Sequence, residues 1–413
     1  MSEPVSSVDV APRHGGSNPD DHADVIVVGA RCAGAPVAML LAETGMRVIV
    51  LDDSPPQADP MTTLLIQPPG VELLDRWGLG ARVAALKAPP ITRYVHRLDD
   101  LTVEGTVGPR GPALAPRRPA LDDVLVEAAR LAGAEVHRRA RVISLSRDDG
   151  TVTGVEARFA DGNRMWLTAD LVIGADGINS TVARLVDAES LWDDGTLSCA
   201  YYSYLPAVDS AIRLHETDRQ LVTHLPTSDG EAVVAVYRPK DLFTRLRQDP
   251  RRHYLAALAD TPGLQHLAER SPADLPGFTG TGRQPNYLRR ATGPGWLLLG
   301  DAAHNRDSIT AWGIAQAFRQ ADGVADVIAN HLGGPELVTA LETFWEAERE
   351  RLAGPYRATL KLARLRTDDS RRAFLAGVVA AGHQDTYVQA LVSGSTAALL
   401  DGVVDHVFAG GHA

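Results

Sequence analysis

The chain contains little cysteine: Cys32 and Cys199 are the only two among its 413 residues. Two cysteines cannot form a disulfide framework, and they do not stand at the spacing of a metal-binding motif. We therefore expect no metal site and a reducing, cytoplasmic compartment. Long hydrophobic runs are also missing, since none approaches the roughly 20 residues that cross a bilayer. The net charge of −11 argues against a nucleic-acid partner and against a basic membrane-binding surface.

The composition is otherwise that of a globular protein, with 45% hydrophobic and 23% charged residues. The length allows two domains, or one domain that carries an inserted lobe. Residues 1–22 lack the basic and apolar regions of a signal peptide. We predict that they form a disordered tail.

A strand–helix–strand unit is predicted directly after this tail. Val25–Val28 and Val48–Leu51 are short apolar runs typical of buried parallel strands, and a helix is predicted between them from Ala33 to Glu43. The turn before the helix reads GARCAG, residues 29–34, which is a G-x-G-x-x-G pattern with arginine in place of its middle glycine. Its glycines allow a tight turn and close packing, and the helix N-terminus can bind a pyrophosphate.

An acidic residue stands where a dinucleotide site needs one. Asp52 ends the second strand, 23 residues after Gly29, and its carboxylate can accept hydrogen bonds from ribose hydroxyls. Asp53 could share this role. A glycine turn alone would indicate only a structural turn, but the turn, helix and acid together predict dinucleotide binding.

Two further strand ends carry a glycine and an aspartate. Asp176-Gly177 follows the predicted strand Leu171–Ile173, and Gly300-Asp301 follows the apolar run 296–299. Asp176 could equally be a buried helix cap, since Ser180 can cap the helix that follows. We call each of these strand ends, and the glycine turn at residues 29–34, a corner. Three such corners from distant segments favour one long ligand that runs across the sheet.

The remaining pattern predicts a second lobe and a helical end. Residues 188–282 contain short, often alternating apolar runs, which predict an antiparallel sheet lobe inserted into the first domain. Parts of 85–115 could be added to this lobe. We assign 23–187 and 283–335 to the discontinuous nucleotide-binding domain, and 336–413 to C-terminal helices.

The order of these motifs resembles that of the class A flavin-dependent monooxygenases of the para-hydroxybenzoate hydroxylase type. The similarity covers residues 23–365 and is closest to enzymes that share the GARCAG turn, QPPGVELLDRWGL and GPGWLLLGDA. The resemblance implies an α/β fold in which a Rossmann-like (GR2-type) FAD-binding domain carries the inserted substrate domain. It also implies NADPH or NADH as a transient electron donor that visits the same cleft.

The resemblance further implies roles for single residues. The glycine turn and Asp52 would hold the adenosine and pyrophosphate half of FAD, and Asp301 would meet the ribityl and pyrophosphate oxygens. Arg118 matches an arginine that approaches the cofactor, with Arg117 as its substitute. The cofactor-binding residues that we predict are Gly29, Ala30, Cys32, Ala33, Gly34, Asp52, Asp53, Arg118, Val142, Asp176, Gly300, Asp301, Thr310, Gly313 and Ile314.

The stretch Thr310–Ile314 is expected to lie beside the flavin ring. Reduced flavin carries negative charge at its pyrimidine edge, which N–H groups at a helix N-terminus would stabilise by roughly 1 kcal/mol. Gly313 would let the backbone approach the ring. Trp312 could stack near the flavin, line the substrate pocket or simply pack. His304 could act as a base, but a residue at this corner more often caps or packs.

The substrate is expected between the flavin and the inserted sheet. The candidate substrate residues are Tyr202, Tyr204, His224 and Trp312, with core packing as the alternative for each aromatic. Because side chains alternate along a strand, either Tyr202 and Tyr204 together or Tyr201 alone would point inward.

We expect an FAD-dependent monooxygenase that inserts one oxygen atom of O2 into a small hydrophobic or aromatic substrate, typically a secondary metabolite, through a flavin C4a-hydroperoxide. Ser308 replaces a proline that is usual in the family, and Leu64 replaces a frequent histidine. These departures leave two alternatives: a flavin-dependent double-bond reductase, or an FAD-bearing enzyme with a non-redox cyclisation step. The sequence does not identify a catalytic base, and the chain could form a monomer or a homodimer.

Overall fold

The computed structural model describes residues 22–55 and 64–394. The predicted tail lies outside the described residues except for His22, which is corrected to the first residue of a strand. The last part of the predicted C-terminal helices, beyond residue 394, also lies outside them.

The strands occur throughout the chain, and the first, second and eighth contain the apolar runs that predicted buried strands. In chain order they are β1 (His22–Val28), β2 (Val48–Asp52), β3 (Arg93–Leu98), β4 (Leu101–Thr106), β5 (Glu135–Arg138), β6 (Arg141–Asp148), β7 (Thr151–Arg158), β8 (Arg164–Gly174), β9 (Ser190–Thr196), β10 (Ser198–Pro206), β11 (Ile212–Thr217), β12 (Gln220–Pro226), β13 (Glu231–Pro239), β14 (Thr279–Thr281), β15 (Pro285–Arg289), β16 (Thr292–Gly293), β17 (Trp296–Leu298) and β18 (His304–Asn305).

The helices alternate with the strands in the first part of the described chain, and four successive helices fill its last part. They are α1 (Gly34–Glu43), α2 (Pro68–Arg76), α3 (Gly80–Ala84), α4 (Arg118–Leu131), α5 (Thr181–Leu185), α6 (Phe243–Leu246), α7 (Pro250–Ala259), α8 (Gly313–His331), α9 (Leu337–Ala363), α10 (Asp369–Ala380) and α11 (Gln384–Ser393).

An eight-stranded sheet forms the nucleotide-binding region. Its main order is β16-β17-β8-β1-β2-β5, and β6 and β7 extend it beside β8. The pairs β17–β8, β8–β1, β1–β2 and β2–β5 are parallel. The apolar runs of β1 and β2 are buried because helices cover this sheet, as expected for a parallel sheet. The Rossmann-like α/β class is therefore the observed one.

A seven-stranded sheet forms the second lobe, in the order β14-β10-β13-β12-β11-β3-β4. Its strands β3 and β4 come from residues 93–106, within the stretch 85–115 that the sequence analysis named as a possible addition. The pair β11–β3 is parallel, whereas the other pairs are antiparallel. β9 lies outside this sheet and pairs with β15, which also pairs with β18. The domain boundaries themselves stay a prediction.

The lobe sheet buries both of its faces. One face packs with α10, α11 and the segment around Ile309, and the other packs with α6 and α7. Within residues 22–55 and 64–394, no helix has the length and apolar character needed to cross a membrane. The same ranges contain no group of three or more histidine, cysteine or acidic side chains that could hold a metal ion.

Candidate functional site

The predicted corners meet at one edge of the eight-stranded sheet. The strands β17, β8, β1 and β2 run parallel, so the residues that follow them lie side by side. Backbone hydrogen bonds continue between the strand ends, from Gly29 to Leu51 and from Ala175 to Val28. An ideal Cβ on Gly29 would lie 3.1 Å from the Cα of Asp176. Three segments that are about 270 residues apart at their extremes therefore line one edge.

The glycines of the first turn are required by close backbone packing. Gly29 has φ +99°, and a Cβ there would lie 2.4 Å from the carbonyl oxygen of Ala175. A Cβ on Gly34 would lie 1.8 Å from the carbonyl oxygen of Gly29. The turn is thus compressed onto the start of α1, and any side chain would open it. No side chain caps the first turn of α1, so its N–H groups remain available to an anion.

The third corner contacts this turn directly. Gly300 has φ +60°, and a Cβ on it would lie 2.8 Å from the Cβ of Ala33. The Gly300 N–H donates to Oε1 of Gln320 in α8 at 2.9 Å, which ties the corner to that helix. Ala30 and Cys32 are buried in the same turn. The first and third corners are therefore one contiguous structure.

A buried arginine lies beside the turn. Nε and Nη2 of Arg118 donate to the Asp122 carboxylate at 2.9 to 3.1 Å. Its Nη1 has no hydrogen-bond partner among the described residues. Arg31, the departure from the glycine pattern, approaches the same carboxylate with its Nε 3.9 Å away. Two guanidinium groups share one carboxylate, which leaves a net positive charge beside the α1 N-terminus.

Asp122 was missed by the sequence analysis, although it stands four residues after Arg118 on the same helix face. Burial raises the pKa of its carboxyl, whereas Arg118 lowers it. The thiol of Cys32 donates to the same carboxylate, 3.6 Å away. Burial raises the pKa of this thiol to about 12, so Cys32 stays protonated and takes no part as a nucleophile.

Asp301 has the environment of a group that lines a cleft. Its side chain is exposed to solvent, yet protein surrounds it closely enough that burial raises the pKa of its carboxyl. Arg118 and Arg306 lower this pKa through their charges. The backbone carbonyl of Asp301 accepts a hydrogen bond from the Tyr287 hydroxyl at 2.5 Å, which fixes the corner. Its carboxylate has no hydrogen-bond partner among the described residues.

The acids after β2 have protein partners. Asp52 is buried and accepts from Nη1 of Arg138 at 2.8 Å and from the N–H of Ser54 at 3.2 Å. Asp53 is exposed and pairs with Arg141, whose Nη2 lies 2.7 Å away. Asp52, at the end of the strand, stays the residue that we predict to bind a ribose. The predicted Val142 directly follows Arg141 in β6 and is buried.

Asp176 is a helix cap in this structure. Its carboxylate accepts from the N–H groups of Thr181 and Val182 and from the Ser180 hydroxyl. Ser180 in turn accepts from the N–H of Ala183. These bonds satisfy the N-terminus of α5, which is the structural alternative that the sequence analysis left open. Its position at the edge stands, but its carboxylate is already engaged.

The segment before α8 is strained and open. Ala311 has φ 52°, a left-handed conformation that is unfavourable for a residue with a side chain. No side chain caps α8, which leaves the N–H groups near Gly313 and Ile314 free of such a partner. A Cβ on Gly313 would meet no atom within 4 Å, so open space lies beside it. The space, the free donors and the dipole suit a planar group with negative charge.

A buried polar network joins this segment to the lobe sheet, and sequence reasoning missed it. The Ser198 hydroxyl donates to Asp307 at 2.6 Å, and Gln284 donates to Ser198 at 2.8 Å. The Ser308 hydroxyl donates to Gln284 at 2.5 Å and lies 3.0 Å from the hydroxyl of Tyr237. Burial raises the pKa of Asp307 to about 6. The hydroxyl of Ser308, where the family usually has proline, belongs to this network.

The candidate substrate residues do not share one face. Tyr202 and Tyr204 pack in the same apolar cluster as Ile309 and Ala311 of the α8 approach. His224 lies on the opposite face of the lobe sheet, because its neighbour two residues earlier, Val222, packs in the other cluster. The His224 prediction is therefore corrected.

The ring of His224 is fully buried and engaged by backbone. Its Nε2 accepts from the N–H of Val208 at 3.1 Å, and its Nδ1 lies 3.4 Å from the carbonyl oxygen of Ala211. Burial lowers its pKa. His304 is likewise buried, packs against Tyr356 and has a pKa well below the usual value because of burial. Backbone groups hold the ring of His224, whereas the buried Nε2 of His304 has no hydrogen-bond partner among the described residues.

A cavity of about 680 Å³ lies beside the start of α8, between α2, α9 and the end of α11. Thr310 and Trp312 line it, and Trp312 donates its indole N–H to the carbonyl oxygen of Leu391 at 3.3 Å. The glycine turn, Asp301 and the lobe tyrosines do not line it. We call it the α8–α9 cavity.

Comparison with known proteins identifies the family. A model of the FAD-binding domain matches residues 22–356, and the chain belongs to this family. It is 29% identical over 337 residues to 6-methylpretetramide 4-monooxygenase of Streptomyces rimosus, which covers 75% of this chain and 76% of that protein. It is 27% identical over 368 residues to digeranylgeranylglycerophospholipid reductase 1 of Methanopyrus kandleri, covering 83% and 88%.

The fold is shared with solved structures. The flavin-dependent brominase Bmp2 matches 94% of this chain and 100% of its own with a TM-score of 0.76 at 16% identity. The family model and the similarity to the Streptomyces rimosus monooxygenase confirm the resemblance to class A flavin enzymes, and the chain is an FAD-dependent oxidoreductase.

The residues present fit FAD. The α1 N-terminus is uncapped, and the Asp301 carboxylate, on which the charge of Arg118 acts, has no hydrogen-bond partner among the described residues. The open space at Gly313 continues this edge at the start of α8. These features match a pyrophosphate, a polyol and a ring in that order. The assignment of single residues to FAD stays a prediction.

Proposed function

We propose that this protein is a monooxygenase that consumes NAD(P)H and inserts one oxygen atom of O2 into a small hydrophobic or aromatic substrate. The observation that carries the proposal is the apolar face of the lobe sheet, which packs Tyr202 and Tyr204 against the approach to α8. A substrate bound there would lie against the open space beside Gly313. Bound FAD would supply the redox chemistry, with NAD(P)H as the electron donor and O2 as the acceptor.

The chain itself would provide charge stabilisation and a dry pocket. The uncapped N-terminus of α8 favours negative charge in front of it. The apolar cluster around Tyr202 and Ile309 would exclude water from the face of the lobe sheet that is turned toward the flavin ring, which we call the ring side. The Ser308–Gln284–Ser198–Asp307 network can hold a proton near this segment, since the pKa of Asp307 is raised to about 6 by burial.

The test is oxygen and NADPH consumption by the FAD-loaded enzyme against a panel of aromatic metabolites. A monooxygenase consumes one O2 and one NADPH for each oxygenated product, and label from ¹⁸O2 enters the product. Tyr202→Ala should lower kcat/KM at least about tenfold, because it removes apolar contact area on the ring side. Tyr201→Ala is the matched control, since Tyr201 packs on the opposite face with Phe243 and Phe278. Equal losses in both variants would contradict this placement.

A double-bond reductase is the second candidate, supported by the similarity to the Methanopyrus kandleri reductase. Leu64 supports it, because an apolar, fully buried side chain stands where enzymes that share the GARCAG turn often have histidine. Turnover of an isoprenoid substrate under strict anaerobiosis, with no oxygen in the product, would establish the reductase. Dependence of turnover on O2 would exclude it.

A further inference from the structure

The α8–α9 cavity lies beside the start of α8 and is lined neither by the glycine turn and Asp301 nor by Tyr202 and Tyr204. Its volume of about 680 Å³ falls within the range of small-molecule sites. Its walls come from α2, α8, α9 and the end of α11, together with the loop that contains Arg306. Two of its lining residues, Thr310 and Trp312, are also among our predicted cofactor and substrate residues, so the cavity adjoins the predicted flavin site.

The cavity is strongly cationic in an acidic protein. Five arginines line it against two acidic side chains, although the chain has a net charge of −11. Four of these arginines have carboxylate partners: Arg76 with Asp322, Arg110 with Glu72, and both Arg319 and Arg351 with Glu348. The fifth, Arg306, has no hydrogen-bond or ion-pair partner among the described residues. Focused positive charge of this kind attracts anions.

Arg306 is a half-buried cation without a protein partner among the described residues. Burial and the charge of Arg351 lower its pKa to about 10, so the guanidinium remains charged at neutral pH. Asp301 interacts with it electrostatically but makes no direct bond to it. A partly buried cation without a partner loses some of its hydration and gains no ion pair in return. Such a group in a cavity wall is well placed to pair with an acidic ligand.

The rest of the wall is apolar. Leu73, Trp312, Leu352 and Pro355 line the cavity, and Trp312 supplies a large aromatic surface. We propose that the α8–α9 cavity binds a small acidic molecule with an aromatic or apolar body, whose carboxylate or phosphate pairs with Arg306. This proposal does not require the proposed reaction, because the cavity and the unpaired Arg306 carry it by themselves.

The test is calorimetric titration of the FAD-loaded protein with naphthalene-2-carboxylate and with the uncharged naphthalene-2-carboxamide. We expect the carboxylate to bind at least about tenfold more tightly than the amide, because the charged hydrogen bond to Arg306 is lost in the amide. Arg306→Met keeps the aliphatic bulk and should abolish this preference. Arg290→Met is the control, since Arg290 is exposed and pairs with Glu189 outside the cavity.

Titrations with NADPH and NADH identify the source of the acidic group. A loss of NADPH affinity in Arg306→Met with NADH unchanged assigns the site to the extra phosphate of NADPH. A loss confined to the carboxylate probe assigns it to an organic acid. The proposal is overturned if the carboxylate and the amide bind wild type equally, if neither binds, or if Arg306→Met retains the preference.

A second measurement does not depend on any ligand. Without ligand, Arg306→Met should unfold at the same temperature as wild type or higher, because an uncompensated cation is removed. A clearly lower unfolding temperature would show that protein contacts already satisfy Arg306, which contradicts the proposal.

Discussion

Arg118 and Asp122 allow the cofactor role of a residue to be separated from its structural role. Both side chains are buried, and two guanidinium nitrogens of Arg118 bind the Asp122 carboxylate. In Arg118→Met the carboxylate would keep only the thiol of Cys32 and the more distant Arg31. Removal of one partner from a buried pair costs about 3–5 kcal/mol. We expect a loss of this order in the free energy of unfolding of the apoprotein.

The double variant Arg118→Met/Asp122→Leu removes both charges at once. Its stability should return to within about 1–2 kcal/mol of wild type, because apolar replacement of a whole buried pair is often close to neutral. FAD binding should not recover, since we propose that the Nη1 of Arg118, which does not bind Asp122, contacts the cofactor. Loss of one charge-assisted hydrogen bond predicts a dissociation constant roughly 10- to 100-fold higher than in wild type.

The assay pairs urea unfolding of the apoprotein with fluorescence titration of FAD, in wild type, both single variants and the double variant. If the double variant regains wild-type FAD affinity together with its stability, Arg118 acts only through folding and the cofactor role is refuted.

Two further predictions concern the same edge. Gly300→Ala should destabilise the apoprotein by about 1–3 kcal/mol, because the residue has φ +60° and its Cβ would press on Ala33. Gly313→Ala should leave the unfolding of the apoprotein unchanged but weaken FAD binding. Equal effects of the two substitutions on unfolding would contradict the open space at Gly313. The folded-state pKa of Asp307, about 6, lies above its ordinary 3.8, so its stabilising contribution is full below about pH 4 and is lost as pH rises through 6. The free energy of unfolding should fall by about 3 kcal/mol over this pH range. Urea unfolding between pH 4 and 7 should show this decrease in wild type and not in Asp307→Asn. The same pH dependence of stability in both proteins would contradict the prediction.

The cofactor edge could be predicted from the sequence because its signals are local. The positive φ of Gly29 and the close approach at Gly34 restrict these positions to glycine whatever the rest of the chain does. The helix predicted over Ala33–Glu43 is observed over Gly34–Glu43. The meeting of Gly29 with Asp301 follows from the rule that parallel strands end at one edge.

Features that depend on pairing between distant strands could not be predicted. Strand alternation describes β10 and β12 separately, but the register between strands places Tyr202 and His224 on opposite faces. The bond between Ser198 and Asp307 joins residues 109 positions apart, and neither residue has a local signature. Asp176 could be a ligand or a cap by sequence alone, and its bonds to Thr181 and Val182 depend on the fold.

The central claim is that one FAD lies along the edge formed by Gly29, Arg118 and Asp301. The most direct measurement is the stoichiometry of FAD on the purified chain, from its visible absorption, before and after incubation with added FAD. We expect a yellow protein with one FAD per chain, and we expect Asp301→Ala to fold but to retain little flavin. A colourless wild-type protein that takes up no FAD, or Asp301→Ala that binds it as tightly as wild type, would contradict the account.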